Sequence, residues 1–599
     1  MTIGRSLILV AVLIYGCAPP GSDRRVVYAE FGNPDRTRHE AFSPDYMIVS
    51  QGEATSLAAR EMFEHGGNVV DAAAAASFAI AVERPQSTGL GGGGFMLIHW
   101  AEGGKVLAVD FREKAPLAAT ERMFQDDRGR VIPNLSTVGI RASGVPGMVA
   151  GVLSVHERYG KLSRQEVLAP AIRLARQGFR VYPHLAEALV KQIGIMKRCP
   201  ASAALFLKPD GQPYHEGEIL RQPDLAKTLE TIAEHGRDGF YKGWVAAALV
   251  GQHRALHGLL TQADLDAYEV QFRKPVRTTY KGYEIFSMPP PSSGGIHVIE
   301  ILNMLENDGL EQFGPYSLKA VHLTAASMQQ AFADRATYLG DNDFVSVPTA
   351  GLTSKAYARR LRQAIPPDRA RNSREVAAGD PTQRSHPVES AETAHFTIAD
   401  RWGNVVSSTQ TINGWFGSDV VVAGAGFVLN NEMDDFSPKP GVPNKFGVTG
   451  GWRNAIAPGK RPLSSMSPTI VKRGGKPVLA LGSPAGSRII SCVALATLNF
   501  IEYRLPLYDA VTALRYHHQW LPDELEVEEP GFPAGTTRRL EGMGYRVVPR
   551  GIGCKVQAVS YEAHGLHGVS DPRGEGLAVG RLLPAPKADE TQSVPVRPD

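Results

Sequence analysis

Cysteine is scarce: only four occur in 599 residues, at positions 17, 199, 492 and 554, and none stands in a C-x-x-C. That spacing indicates neither a zinc site nor a disulfide framework. Cys492, inside the apolar run IISCVALATL, reads as a buried core thiol. A bridge between Cys199 and Cys554 is open to a protein in an oxidising compartment, but no sequence feature supports it. A large excess of charge of one sign is missing too. With 64 Lys and Arg against 61 Asp and Glu, the net charge of +3 gives no electrostatic reason to expect nucleic acid, and the ligand is expected to be small. No Walker loop, G-x-S-x-G elbow or H-E-x-x-H occurs. The adjacent pair His517 and His518 has no neighbouring Cys or spaced carboxylates, so it reads as structural, and no metal or cofactor is expected.

Long apolar runs are absent as well. The one membrane-active candidate, Leu7 to Tyr15, falls short of the ~20 residues that cross a bilayer, and reads as an export signal. The residues Leu13, Ile14, Tyr15 and Gly16 before Cys17 are similar to a bacterial lipobox, in which Cys17 would carry lipid. An ordinary secretory signal with an incidental Cys remains the alternative. Residues 18–43 and 584–599 are polar and aperiodic, as expected of a tether and a tail.

Between these ends, 43% of the whole chain being hydrophobic and 21% charged rules out disorder and coiled coil as descriptions of the bulk. Helix-like stretches such as Asn68 to Val82 and Asp224 to His235 alternate with strand-like runs such as Gly94 to Trp100 and Tyr283 to Ser287. That alternation predicts an α/β protein. The glycines of GLGGGG match G-x-G-x-x-G at Gly89, Gly91 and Gly94, but a helix precedes them and a strand follows, the reverse of a dinucleotide site. Four glycines in a row imply instead a backbone passing very close to another strand or a ligand. Two loops stand out: PPPSSGG, Pro289 to Gly295, and the Pro/Gly-rich segment from Asp434 to Gly451, long enough to be a lid.

The most informative segment is TAHFTIADRWGNVVSSTQTIN, Thr393 to Asn413, two strand-like runs around the turn signal DRWGN. With the turn centred on Trp402, Ala399 faces Val405 and Thr393 faces Thr411. Alternation puts Thr409, Thr411 and Asn413 on one face and Val406 and Ile412 on the other. Taken alone, that hydroxyl-rich face reads as a solvated sheet surface.

Together with LNNEMDDFSPKPGVPN, KRPLSSMSPTI, GSPAGSRII and RYHHQWLPDEL downstream, and GGNVVDAAAAASFAIAVERPQSTGLGGGGFML, DFREKAP and PPPSSGG upstream, the hairpin resembles the γ-glutamyltranspeptidase family. The likeness runs from about Met47 to about Val579. It implies an N-terminal-nucleophile hydrolase with a four-layer αββα sandwich, made as a precursor that cuts itself between Glu392 and Thr393 into a large chain, 44–392 after the signal and tether, and a small chain, 393–599, sharing one fold. Thr393 is then the nucleophile, its freed amine the base that a weak hydroxyl requires, and Thr411 its supporting hydroxyl.

The same resemblance assigns the donor site. Arg112, with Ser464 and Ser465, would bind the α-carboxylate. Asn413, Glu432 and Asp435 would take the α-ammonium, and the backbone N–H groups of Ala485 and Gly486 would form the oxyanion hole. Three departures from the family are visible: Ala485-Gly486 replaces a glycine pair, Glu432 stands where many bacterial members have Gln, and the lid carries Phe446 where some have a Tyr. The expected substrates are glutathione and other γ-glutamyl compounds, with water, amino acids or dipeptides as acceptors, in a periplasmic setting. An acylase of the same fold acting on glutaryl or cephalosporin side chains, and a non-catalytic solute-binding lipoprotein, are the competing readings.

Overall fold

The computed structural model describes residues 27–28, 36–381, 393–439, 442 and 451–581. Two seven-stranded sheets lie at its centre. Their strands are β1 (Glu40–Ser43), β2 (Tyr46–Ser50), β3 (Gly93–His99), β4 (Val106–Asp110), β5 (Gln271–Arg273), β6 (Val276–Tyr280) and β7 (Tyr283–Ser287). Later in the chain come β8 (Ala394–Asp400), β9 (Val405–Thr411), β10 (Thr469–Arg473), β11 (Lys476–Gly482), β12 (Gln557–Glu562), β13 (Gly565–Ser570) and β14 (Leu577–Gly580).

One sheet runs β14-β2-β8-β9-β3-β4-β5 and the other β1-β13-β12-β11-β10-β7-β6, every neighbouring pair antiparallel. Each sheet therefore combines strands from before and after Thr393. The expected tether is folded at its end, where β1 pairs with β13.

Period-two alternation decides what each sheet face touches. Along β3, Met96 and Ile98 join the cluster built with one set of helices, while Phe95 and Leu97 join the cluster shared with the second sheet. The helices of the first set include α1 (Glu53–Glu64), α2 (Val69–Glu83), α3 (Arg164–Gln177) and α4 (Pro223–His235). The other outer layer includes α5 (Gly294–Leu305), α6 (Leu318–Tyr338) and α7 (Arg488–Ile501). The result is the αββα sandwich that the resemblance implied.

Helix α2 shows how composition sets packing. All fifteen of its residues are buried, and its run of alanines lets the backbone approach the sheet closely. Asn68 starts it with a capping box, accepting from the N–H groups of Val70 and Asp71 while the Asp71 carboxylate accepts from Asn68 N.

The glycine run explains itself by proximity to a strand. A Cβ on Gly92 would lie 2.0 Å from the carbonyl oxygen of Thr411, and one on Gly94 would lie 2.4 Å from that of Thr409. These glycines let β3 lie against β9 where Thr411 pairs with Gly93.

Candidate active site

The hairpin of β8 and β9 has the register expected from its turn, with Ala399 opposite Val405 and Ala394 opposite Gln410. Trp402 sits at the exposed tip. Thr393 immediately precedes β8, so it stands at the end of the hairpin beside Thr411, the last residue of β9. Thr393 is 3% exposed and its Oγ1 has no hydrogen-bond partner among the described residues. The hydroxyl face is not solvated. Every residue of β8 and β9 is buried, and the second sheet covers the hydroxyl face: Thr397 Oγ1 donates to Gln557 O of β12 and Ser407 Oγ to Leu481 O of β11, while within the hairpin the His395 ring meets Thr409 Oγ1 at 2.8 Å.

Asn413 lies beyond the strand rather than on its face. Its φ of 72° is left-handed, and its N–H donates to Thr411 Oγ1 at 2.7 Å. This turns the chain so that Asn413 Nδ2 donates to Asn431 O, leaving Asn413 Oδ1 buried and without a partner among the described residues. Asn431 leads directly into the short 3₁₀ turn Glu432–Asp435, which carries both acids that the resemblance implies for the ammonium.

Arg112 follows β4 and is fully buried. Its Nη1 lies 2.6 Å from Glu432 Oε2 and 3.6 Å from Glu113 Oε2, and its Nη2 donates to Asp435. Burial by itself would lower the Arg112 pKa, but Glu432, Asp435 and Glu113 outweigh it and hold the guanidinium charged. Burial pushes the Glu432 carboxyl up against the pull of Arg112, and pushes Glu113 well above the usual range, helped by the charge of Glu432.

Arg112 Nε also donates to Pro462 O, and Nη2 to Leu463 O, which places the guanidinium beside Ser464 and Ser465. The PPPSSGG loop supports that segment from behind: Ser293 N and Oγ both donate to Ser464 O, and Ser292 Oγ donates to Met466 O. Arg335 of α6, fully buried, donates from Nη2 to Ser465 Oγ at 2.9 Å. Ser465 therefore accepts from Arg335 and keeps its own proton to donate elsewhere.

Ala485 and Gly486 lie in the loop between β11 and α7, at the positive end of that helix. Their φ values are 109° and 60°. Their carbonyls accept from Arg488 N and Ile489 N, while no hydrogen bond among the described residues uses either N–H. Two orphan donors at a helix N-terminus suit a developing oxyanion. For Ala485 a positive φ costs of order 1–3 kcal/mol, which glycine would not incur.

The cysteines correct the sequence reading. Cys492 is bonded to Cys554, and Cys199 is free. Sequence separation hid the pair, since Cys492 sits in the second turn of α7 and Cys554 in the loop before β12. Glu113 and Arg335 were also not expected in the site. The only sequence signal was adjacency of Glu113 to Arg112, and Arg335 lies in a helix with no motif of its own. Cys17, Glu392 and Phe446 lie outside the described residues, as does most of the expected lid. His517 bonds to Ser491 and Gln519, and His518 faces Asp523, in keeping with structural roles.

Comparison with known proteins gives a consistent result. The family model described as Gamma-glutamyltranspeptidase matches residues 55–581. The chain is 43% identical to the "Glutathione hydrolase proenzyme" of Escherichia coli (strain K12), over 96% of this chain and 98% of that one. Among solved structures, the cephalosporin acylase from Bacillus halodurans superposes with a TM-score of 0.78 at 26% identity, covering 95% of this chain and 99% of the other. The Helicobacter pylori gamma-glutamyltranspeptidase structure gives a TM-score of 0.55 at 43% identity, covering 56% of this chain and 95% of its own.

Proposed function

The chain belongs to the gamma-glutamyltranspeptidase family, and from that premise we propose that it is an exported glutathione hydrolase and γ-glutamyltransferase that first processes itself. In this reading the Thr393 hydroxyl attacks the carbonyl carbon of Glu392, the acyl group moves from N to O, and water hydrolyses the ester. The cut yields the chains 44–392 and 393–599 within one fold and frees the Thr393 amine. That amine, or a water it holds, then deprotonates the hydroxyl for attack on a γ-glutamyl donor. The N–H groups of Ala485 and Gly486 stabilise the tetrahedral oxyanion, each worth about 3 kcal/mol. Water or an amino acid or peptide then resolves the acyl-enzyme.

The donor is a zwitterion at its α-carbon. Its carboxylate would go to Arg112, Ser464 and Ser465, and its ammonium to Asn413, Glu432 and Asp435. Arg112 is already joined to two of those acids, so a zwitterion entering between them exchanges the internal ion pairs for external ones without leaving a buried charge unpaired. The observation that carries the enzymatic reading is the buried Thr393 hydroxyl at the head of an inner strand, taken up by no neighbour among the described residues.

The acylase reading has a structural neighbour in its favour. Against it stands the cluster of Glu432, Asp435 and Glu113, which a glutaryl group without an ammonium would leave uncompensated. A binding lipoprotein would have no use for Thr393. A chromogenic γ-glutamyl anilide, assayed with and without glycylglycine, tests the function: release measures hydrolysis and its stimulation measures transfer. No release, or release unaffected by Thr393→Ala, would refute it. Export by the N-terminal signal, with lipid on Cys17, belongs to the same proposal, and among the described residues no helix is long and apolar enough to cross a membrane.

A further inference from the structure

We propose that the Cys492–Cys554 disulfide positions the oxyanion residue Ala485, the two cysteines serving as positioning residues for acyl transfer; this rests on the site reading above. Cys492, Ile552 and Cys554 form a small buried apolar cluster, and Ala485 packs against it. The Ala485 methyl lies 3.7 Å from the place a Cβ on Gly553 would occupy, so the segment around Gly553 forms the wall behind it. The same segment holds the loop at two further points. Lys555 N donates to Ser483 Oγ at 3.2 Å, and Cys554 Sγ lies 3.6 Å from Arg488 O in the first turn of α7.

The disulfide thus ties the wall covalently to the helix on whose N-terminus the oxyanion loop rests. Ala485 needs this support because its φ of 109° is one that an alanine rarely adopts and a glycine adopts freely. The methyl group packed on the cluster holds the residue in that conformation, which keeps its N–H unspent by the protein. Without the bond, the wall can retreat, the alanine can relax, and the N–H leaves its position. The replacement of a family glycine by Ala485 and the presence of the disulfide are then two halves of one device.

The test is a comparison of kcat for the γ-glutamyl anilide with the disulfide present and absent, in two backgrounds at position 485. Removal by the double change Cys492→Ala/Cys554→Ala is expected to lower kcat about tenfold or more, since loss of a whole oxyanion donor costs about 100- to 1,000-fold, while KM changes little. In an Ala485→Gly background the same removal should lower kcat no more than about threefold, because glycine reaches the conformation without strain and needs no wall to force it there. If the disulfide only staples the fold, its removal would lower the melting temperature equally in both backgrounds and give the same kcat ratio in each, which overturns the proposal. Should the double variant fail to fold, the processed wild-type and Ala485→Gly enzymes are treated with dithiothreitol, thiols are counted, and the same two ratios are read. A wild type that does not turn over the anilide overturns the site reading and this proposal with it. Turnover that ignores the disulfide in the Ala485 background overturns this proposal alone.

Discussion

The Nη1 of Arg112 lies 2.6 Å from Oε2 of Glu432, with neither side chain exposed to solvent. A buried pair of this kind contributes little net stability, because desolvation of both ions offsets their attraction, and removing one partner strands the other. Its place beside Ser464 and Ser465 gives it a different value, as a charge pair that a zwitterionic ligand can divide.

Arg112→Lys is therefore expected to fail although it conserves the charge. An ammonium cannot make the two parallel bonds of a planar fork, and one charged hydrogen bond is worth about 1.5–3 kcal/mol, or roughly 10- to 100-fold in donor affinity. Steady-state kinetics should show KM raised by that factor, with self-cleavage intact on a gel because the cut needs no donor. A near-normal KM would remove Arg112 from the donor site.

Thr393→Ala should remain a single uncut chain without activity, while Thr393→Ser, which keeps the hydroxyl, should still cut. N-terminal sequencing of the small chain is the check. Cleavage of the Ala variant at the same bond would assign the cut to an external protease.

Acid stability follows from buried histidines. Burial lowers His184 to about 2, His253 to about 4, and His395 and His517 to about 3. The unfolded chain binds these protons near pH 6.5, so it holds more protons than the native state below that pH. Stability is then fully present above about pH 6.5 and is lost as pH falls toward the native values, each histidine contributing up to about 1.4 kcal/mol per pH unit. Glu113 and Glu432, raised by burial, act in the opposite sense because they bind more protons folded than unfolded, so the histidine part is read by difference. Denaturant titrations of the uncut Thr393→Ala chain with and without His253→Gln between pH 7 and 4.5 should show stability falling less steeply with acid in the chain that lacks the histidine. Equal slopes in the two chains would contradict the burial of the His253 ring.

How much of this was legible beforehand differs by the range of the interaction. The register of β8 with β9 could be read because a tight turn fixes pairing locally, and the family motifs singled out Thr393, Arg112 and the acid turn. The solvated reading of the hydroxyl face failed because nothing local reveals that a second sheet covers Thr397 and Thr409. The Cys492–Cys554 bond failed for the same reason: sixty-two positions separate the two cysteines, and only the packing of α7 against the loop before β12 brings them together. Arg335 was invisible because its role depends on a serine 130 residues away.

The glycines supply the last prediction, in which two Gly→Ala changes should have opposite effects. At Gly92 the added Cβ would sit 2.0 Å from the Thr411 carbonyl oxygen, a backbone atom that cannot rotate aside. Either β3 or β9 must shift by roughly an ångström, and overpacking of this kind costs about 1–3 kcal/mol. The shift falls on Thr411, which stands beside Thr393, and in the proposed site a displacement of about 1 Å can cost roughly 100-fold in rate. Gly92→Ala is expected to accumulate uncut precursor with a lowered melting temperature. Gly251 instead sits exposed within the helix Gly243–Ala255 with nothing within 4 Å of an added methyl, and its φ is not left-handed. Gly251→Ala should stabilise by about 0.5–1 kcal/mol through helix propensity and a less flexible unfolded chain, with cleavage and turnover unchanged. Melting curves and a processing time course for both variants decide the matter: a Gly92→Ala chain that cuts at the wild-type rate would show that Thr411 is not held in place by the close approach of β3.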